Sequence, residues 1–249
     1  MGNNNQAFTL AEILITLGVI GVVVSFTMPS LIQKHKEKVT VNKVKTALSL
    51  VNQAYTFARA EGDEINYWFS ENSTFVTDDE GNNLQNDSGR NNQDIFWDKL
   101  VPYLKILTRC KASDTGCKTI TEMYSLSGHA RNIDLKSYSI INLTNGMTLL
   151  GGWISNFNCK EKELCGDFAV DINGIENIPN TVGKDIFYFS IQKNTISPIF
   201  DNFTMALCDI KATNSHNNNG YACTRWIIQN ENMDYLHCNN LDWSKSKCD

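Results

Sequence analysis

The chain has 249 residues, a formal net charge of −5 and a pI near 5.4. An acidic balance of this kind carries no general signal for nucleic-acid binding, and the length leaves room for one sizeable globular head beyond any N-terminal helix. No GxSxG, HExxH, P-loop or dinucleotide fingerprint occurs, so the sequence gives an enzyme little support. Ser127-Gly128-His129 is the nearest approach to a nucleophile with a base, and such neighbours are usually plain loop.

The chain opens on a short polar stretch, Met1 to Ala7, followed by an apolar run from Phe8 to Met28 whose sole charge is Glu12. As a helix rising about 1.5 Å per residue, that run is long enough to cross a hydrocarbon core of about 30 Å. A carboxylate inside such a segment costs on the order of 2.5 to 3.5 kcal/mol at mid-helix and less near an end, so it marks function by default. Its expected partner is a positive charge at similar depth. Gly18 and Gly21 permit close helix contact, and Pro29 removes a backbone hydrogen bond and is expected to kink or loosen the helix.

Phe8-Thr9-Leu10-Ala11-Glu12 resembles the start of the type IV filament superfamily, the type IV pilins and the pseudopilins of type II secretion, where their precursors are cut. The resemblance implies a leader of residues 1–7, processing between Ala7 and Phe8 by a prepilin peptidase, and N-methylation of Phe8. Ala7 stands where the family usually has Gly. In this reading Phe8, Glu12, Gly18, Gly21 and Pro29 serve assembly, with Glu12 of one subunit neutralising the Phe8 ammonium of the next inside a helical bundle. The implied partners are the peptidase, other pilin or pseudopilin subunits, an inner-membrane platform protein, an assembly ATPase and membrane lipid. A type II secretion pseudopilin is the first reading. A minor type IV pilin for adhesion or DNA uptake, or a membrane-anchored binding protein that never polymerises, is the alternative.

Past the apolar run, Val41, Val44, Leu48, Val51, Tyr55 and Ala58 recur at spacings of three and four, a stripe on one helix face, with Lys43, Lys45 and Asn52 elsewhere. No Gly or Pro interrupts residues 30–61, and Gly62 is a natural stop. One helix over residues 8–61 is therefore expected, membranous in its first half and packed on a head in its second. Lys34, Lys36, Lys38, Lys43 and Lys45 alone would keep this side cytoplasmic. The eight cysteines, all in the head, suit an oxidising compartment, and together with what the family resemblance implies they put the leader in the cytoplasm and the head outside the bacterial inner membrane.

The head, residues 62–249, divides on sequence into a variable segment (62–135), a sheet (136–200) and a disulfide-stapled tail (201–249). Glu71 to Asn92 reads as an irregular loop, and Ile95, Phe96, Leu100, Leu104 and Leu107 as helical packing interrupted at Pro102. Strands are expected at 137–143 and 147–153 around an Asn145-Gly146 hairpin turn, then at 168–172, 186–191 and 195–200, with a turn at Lys193-Asn194. They make an antiparallel sheet of about four or five strands, followed by a short helix over 223–230. The fold class is α+β, in an order that resembles the pilin-like arrangement.

Eight cysteines permit 105 pairings. Neighbours in sequence suggest Cys110 with Cys117, Cys159 with Cys165, Cys208 with Cys223, and Cys238 with Cys248. Without CxxC or paired histidines, zinc is disfavoured. Calcium is the one metal to weigh: Asp171, Asn173 and Asp185 could supply hard oxygens, in a loop resembling one recurrent in pseudopilin-like heads, some of which bind calcium. Asx turns would explain the same residues. Tyr221, Trp226, Tyr235 and Trp243 either line a contact or anchor the tail.

Overall fold

A computed structural model describes residues 9–62, 64–69, 75–77, 83–85, 87–116, 120, 122–131, 138–155, 159, 164–199, 207–212 and 218–248. It divides into two compact units at Val39/Thr40. The processing positions Ala7 and Phe8 lie outside the described residues, as does Cys117.

The first helix, α1 (Leu10–Ala60), is 51 residues long and continuous through Pro29. The expected kink at Pro29 does not interrupt the helix. The hydroxyls of Thr16, Ser25, Thr27 and Ser30 each bond a carbonyl one turn back, so the polar groups of this apolar stretch are satisfied within the helix. From Thr9 to Lys36 every residue is exposed, and Leu10–Ala60 is the one described helix long and apolar enough to cross a membrane.

The second half of α1 behaves oppositely. Val41, Val44, Ala47, Val51, Ala54, Tyr55 and Ala58 are buried, following the expected stripe with Ala47 and Ala54 added and Leu48 at its half-buried margin. All three residues expected off the stripe still bond the head, Lys45 through the Glu231 carboxylate. Asn52 Oδ1 accepts from the Ile196 amide at 2.9 Å, and Lys43 Nζ donates to the Ile172 carbonyl at 2.9 Å. Long polar side chains at the stripe's edge reach carbonyls and amides that periodicity alone does not reveal.

After α1 come a small hairpin of β1 (Phe75–Thr77) and β2 (Asn83–Gln85), then α2 (Asp87–Leu100). The loop expected over 71–92 is thus replaced where described by two short strands and a helix start. Polar α2 is fixed by buried side chains that satisfy backbone: Asp94 accepts from the amides of Ala112 and Ser113 and the hydroxyls of Ser113 and Ser139, and Gln93 Oε1 accepts from the Ser139 amide. Such bonds let an Asn- and Asp-rich segment be helical despite weak propensity.

The main sheet has six strands in the order β10-β9-β7-β6-β5-β3, with β3 (Ile106–Cys110), β5 (Ile140–Leu143), β6 (Thr148–Leu150), β7 (Leu164–Asp171), β9 (Ile186–Gln192) and β10 (Ile196–Pro198), every pair antiparallel. β3 corrects the helical reading of Leu104 and Leu107. The helix ends at Leu100, a single 3-10 turn at Val101–Tyr103 takes up Pro102, and the chain turns into an edge strand that leaves Leu107 71% exposed. A short parallel pair, β4 (Met123–Tyr124) with β8 (Asn180–Thr181), lies apart from that sheet.

The β5–β6 hairpin turns as expected at Asn145-Gly146, but only Gly146 takes positive φ, at 83°, and its amide bonds back to the Leu143 carbonyl. The Lys193-Asn194 turn closes through the Gln192 amide and the Thr195 carbonyl. Alternation along β7 and β9 separates two faces. Phe168, Val170, Phe187, Phe189 and Ile191 join the α1 stripe in the larger core, while Ala169, Ile186 and Tyr188 join a smaller one with Met123, Ile140 and Leu150. An aromatic series links α1, α2 and sheet: Tyr55 to Phe96 at 6.1 Å, Phe96 to Trp97 at 4.9 Å, Trp97 to Phe168 at 5.4 Å and Phe168 to Phe189 at 5.5 Å. The last helix, α3 (Ala222–Asn230), ends on Glu231 at φ 56° and is followed by the stapled tail.

Candidate functional site

Three places bear on function: the start of α1, the carboxylate turn after β7, and a cavity on the second face of the sheet.

At the start of α1, Thr9 and Glu12 form a reciprocal cap. Glu12 Oε2 accepts from the Thr9 amide and hydroxyl, both at 2.8 Å, and the Thr9 hydroxyl accepts from the Glu12 amide at 3.2 Å. This Thr-x-x-Glu box satisfies donors that a helix start would otherwise leave open. Both bonds to the carboxylate use one oxygen, so Oε1 can still receive a second donor. Gly18 and Gly21 have open space where a side chain would project.

At the turn, Asp171 is fully buried and its Oδ1 accepts from the amides of Asn173 and Gly174 at 3.0 and 2.9 Å, an Asx turn. Asp185 Oδ1 accepts from the Thr181 amide at 2.5 Å. Asp171 Oδ2 is buried without a hydrogen-bond partner among the described residues. Burial pushes the Asp171 carboxyl up to about 6, against the pull of its two amides and Lys43. Burial, and then the charge of Asp171, pushes Asp185 up to about 7 despite the Thr181 amide. Asn173 contributes its backbone amide and is itself exposed. Calcium takes six to eight oxygens, and among the described residues no group of three His, Cys, Asp or Glu is placed to hold a metal. The hydrogen bonds that Asp171 and Asp185 accept from backbone amides are those of turns.

The disulfides Cys159–Cys165, Cys208–Cys223 and Cys238–Cys248 join neighbours in sequence as anticipated. Cys110 is also disulfide-bonded, to a partner outside the described residues. Tail anchoring accounts for Trp226 and Tyr235, both buried: Trp226 Nε1 donates to Asn232 Oδ1 at 2.8 Å and the Tyr235 hydroxyl to the Gly183 carbonyl at 2.7 Å. The Ser127 hydroxyl accepts from Asn219 Nδ2 at 3.1 Å.

Tyr221 belongs elsewhere, to a constellation that sequence reasoning missed. Its ring stacks on Tyr188 at 4.0 Å, and Arg131, 7% exposed, donates to both hydroxyls, at 2.9 Å to Tyr221 and 3.4 Å to Tyr188. Burial holds the Tyr221 hydroxyl protonated, well above its ordinary range. Beside them opens a cavity of about 130 Å³ whose wall includes Tyr138, Trp153 and Asp167. Gly152 is required there, because a Cβ would sit 2.0 Å from the Asp167 carbonyl oxygen. Asp167 Oδ1 accepts from the Trp153 amide at 3.3 Å. Although only half-buried by surface, its carboxyl is pushed up to about 6, mainly by lost water, against that amide and the Arg131 charge. Arg131, Asp167, Tyr188 and Tyr221 come from four separate segments, and no spacing in the sequence announces them.

A model of a family of unknown function, DUF6613, matches residues 30–226, most of the chain, and the protein belongs to that family. The match begins after the apolar run and ends within α3. No curated protein matches the chain, and no solved structure does.

Proposed function

We propose that this protein is a prepilin-like structural subunit, processed between Ala7 and Phe8 and assembled, through the apolar half of α1, into a type II secretion pseudopilus at the bacterial inner membrane. The observation that carries the reading is Glu12: a carboxylate with one oxygen uncommitted, at the start of an apolar helical stretch exposed along its whole length. A helix so exposed needs lipid, other helices, or both. An ammonium on Phe8 of a neighbouring copy would meet Oε1 without dismantling the Thr9 cap. Prepilin peptidase, a platform protein, an assembly ATPase and sister subunits are the partners this role requires. Its work is mechanical, with no turnover.

The capping box favours a second reading, a static membrane-anchored binding protein, because it gives Glu12 a task within one chain. Glu12→Ala and Thr9→Val separate the two. Assembly predicts that Glu12→Ala abolishes recovery of the protein in cross-linked multimers from its native membrane while Thr9→Val retains most of it. Equal recovery of Glu12→Ala and the parent would remove the assembly role and leave the anchor.

A further inference from the structure

We propose that the cavity on the second face of the sheet is a recognition pocket for an alkylammonium group. Its wall carries one charged side chain among the described residues, Asp167, set among the rings of Tyr138, Trp153, Tyr188 and Tyr221. Alternation on β7 turns Asp167 toward the same side as Ala169, away from the core face that Phe168 and Val170 fill. Aromatic faces around a carboxylate attract a cation twice over, through ring quadrupoles and through direct charge. The Trp153 amide is the carboxylate's hydrogen bond among the described residues, which leaves acceptor capacity for an ammonium donor.

Arg131 makes the pocket without occupying it. Its two Nη atoms donate to the Tyr188 and Tyr221 hydroxyls and the Met123 sulfur, and the guanidinium lies 5.7 and 5.0 Å from the two ring centroids. It locks both rings in place and is not itself on the cavity wall. An anion would therefore meet Asp167 first and Arg131 only through the tyrosines. A volume of about 130 Å³ is well below the roughly 300–1,000 Å³ of pockets for whole cofactors, and suits the end of one aliphatic amine. That amine is either a free small molecule or a lysine side chain of a protein partner. The pocket lies within residues 40–249 and stands whether or not the chain polymerises.

The test is calorimetric titration of the full chain in detergent micelles with n-butylammonium, with a lysine peptide capped at both ends, and with n-butanol as the neutral control. Both ammonium probes are expected to bind saturably, at least tenfold tighter than butanol. Asp167→Asn should weaken them tenfold or more and leave butanol unchanged. Tyr138→Leu, compared at matched thermal stability, should weaken them several-fold and keeps the test open if Asp167→Asn does not fold. A peptide at least tenfold tighter than butylammonium identifies a protein lysine, and equal affinities a free amine. Butanol binding as well as butylammonium, no saturable binding of either cation, or indifference to both substitutions would overturn the proposal.

Discussion

The two halves of α1 are one helix made for two surroundings. From Thr9 to Lys36 nothing is covered, and even the bulky side chains of Leu10 and Phe26 are each 79% exposed. From Val41 to Ala58 the same helix shows a stripe of mainly small and β-branched residues sealed against sheet and α2, together with Tyr55, whose hydroxyl donates to the Gln192 and Lys193 carbonyls. The contrast teaches that hydrophobic content is not what distinguishes a core helix. An all-round apolar surface calls for an apolar solvent or other helices, whereas a one-sided stripe calls for a single partner face.

Substitutions break that contrast in graded steps. The largest effect is expected from Tyr55→Ala, which removes a buried ring and two carbonyl bonds: unfolding in urea should show a loss of about 4 kcal/mol. Ile20→Ala, at an exposed position of the first half, should leave that unfolding unchanged. If both were silent, the stripe would not hold the head together.

Next come the staples. Opening Cys208–Cys223, which spans 15 residues, should cost about 3 kcal/mol, and opening Cys159–Cys165, which spans 6, less. Midpoints of thermal unfolding of the two double-serine variants compare them. The reverse order would show that loop closure does not govern their contribution.

The carboxylate turn gives a smaller, pH-dependent effect. Asp185 ionises near 7 in the folded chain against about 3.9 unfolded, so the folded state holds the extra proton between those values. Stability contributed by this group is therefore present below about pH 4 and falls as pH rises to about 7. Asp171 acts in the same direction up to about 6. Asp185→Asn keeps an acceptor for the Thr181 amide and removes the buried charge, and should gain about 2 kcal/mol at pH 8 and nothing at pH 4. A loss at pH 8 would show that the charge is used. Millimolar calcium should shift the melting temperature of the parent by less than about 1 °C, and a clear rise would restore the metal to this turn.

The smallest effect is the ion pair of Lys45 with Glu231, which links α1 to the end of α3 across exposed surface. Lys45→Met should change stability by no more than about 0.5 kcal/mol. A larger loss would mean that polar contacts, and not the stripe, fix the helix on the head.

What was legible follows from where the information sits. The length of α1 was written in the apolar run and the stripe that follows it, ending before Gly62, and the β5–β6 and β9–β10 hairpins in turn residues set between β-prone runs. β3 was not legible, because Leu104 and Leu107 continue the spacing of α2 and an edge strand buries too little to impose a period of two. α2 was hidden by its composition: Asp94 and Gln93 are helical by virtue of amides some 18 to 46 residues away. At the candidate sites, Glu12 was conspicuous as a lone charge, while its cap with Thr9 was legible but unread in the Thr-x-x-Glu spacing. The cavity was beyond sequence, since Asp167 gains meaning only beside Tyr138, Trp153 and Tyr221.

The central claim is that the uncovered half of α1 is a processed assembly helix beginning at Phe8. Intact-mass and peptide mass spectrometry of the protein taken from its native membrane tests it most directly. The account predicts an N-methylated Phe8 terminus lacking residues 1–7; a molecule that retains Met1 through Ala7 would contradict it.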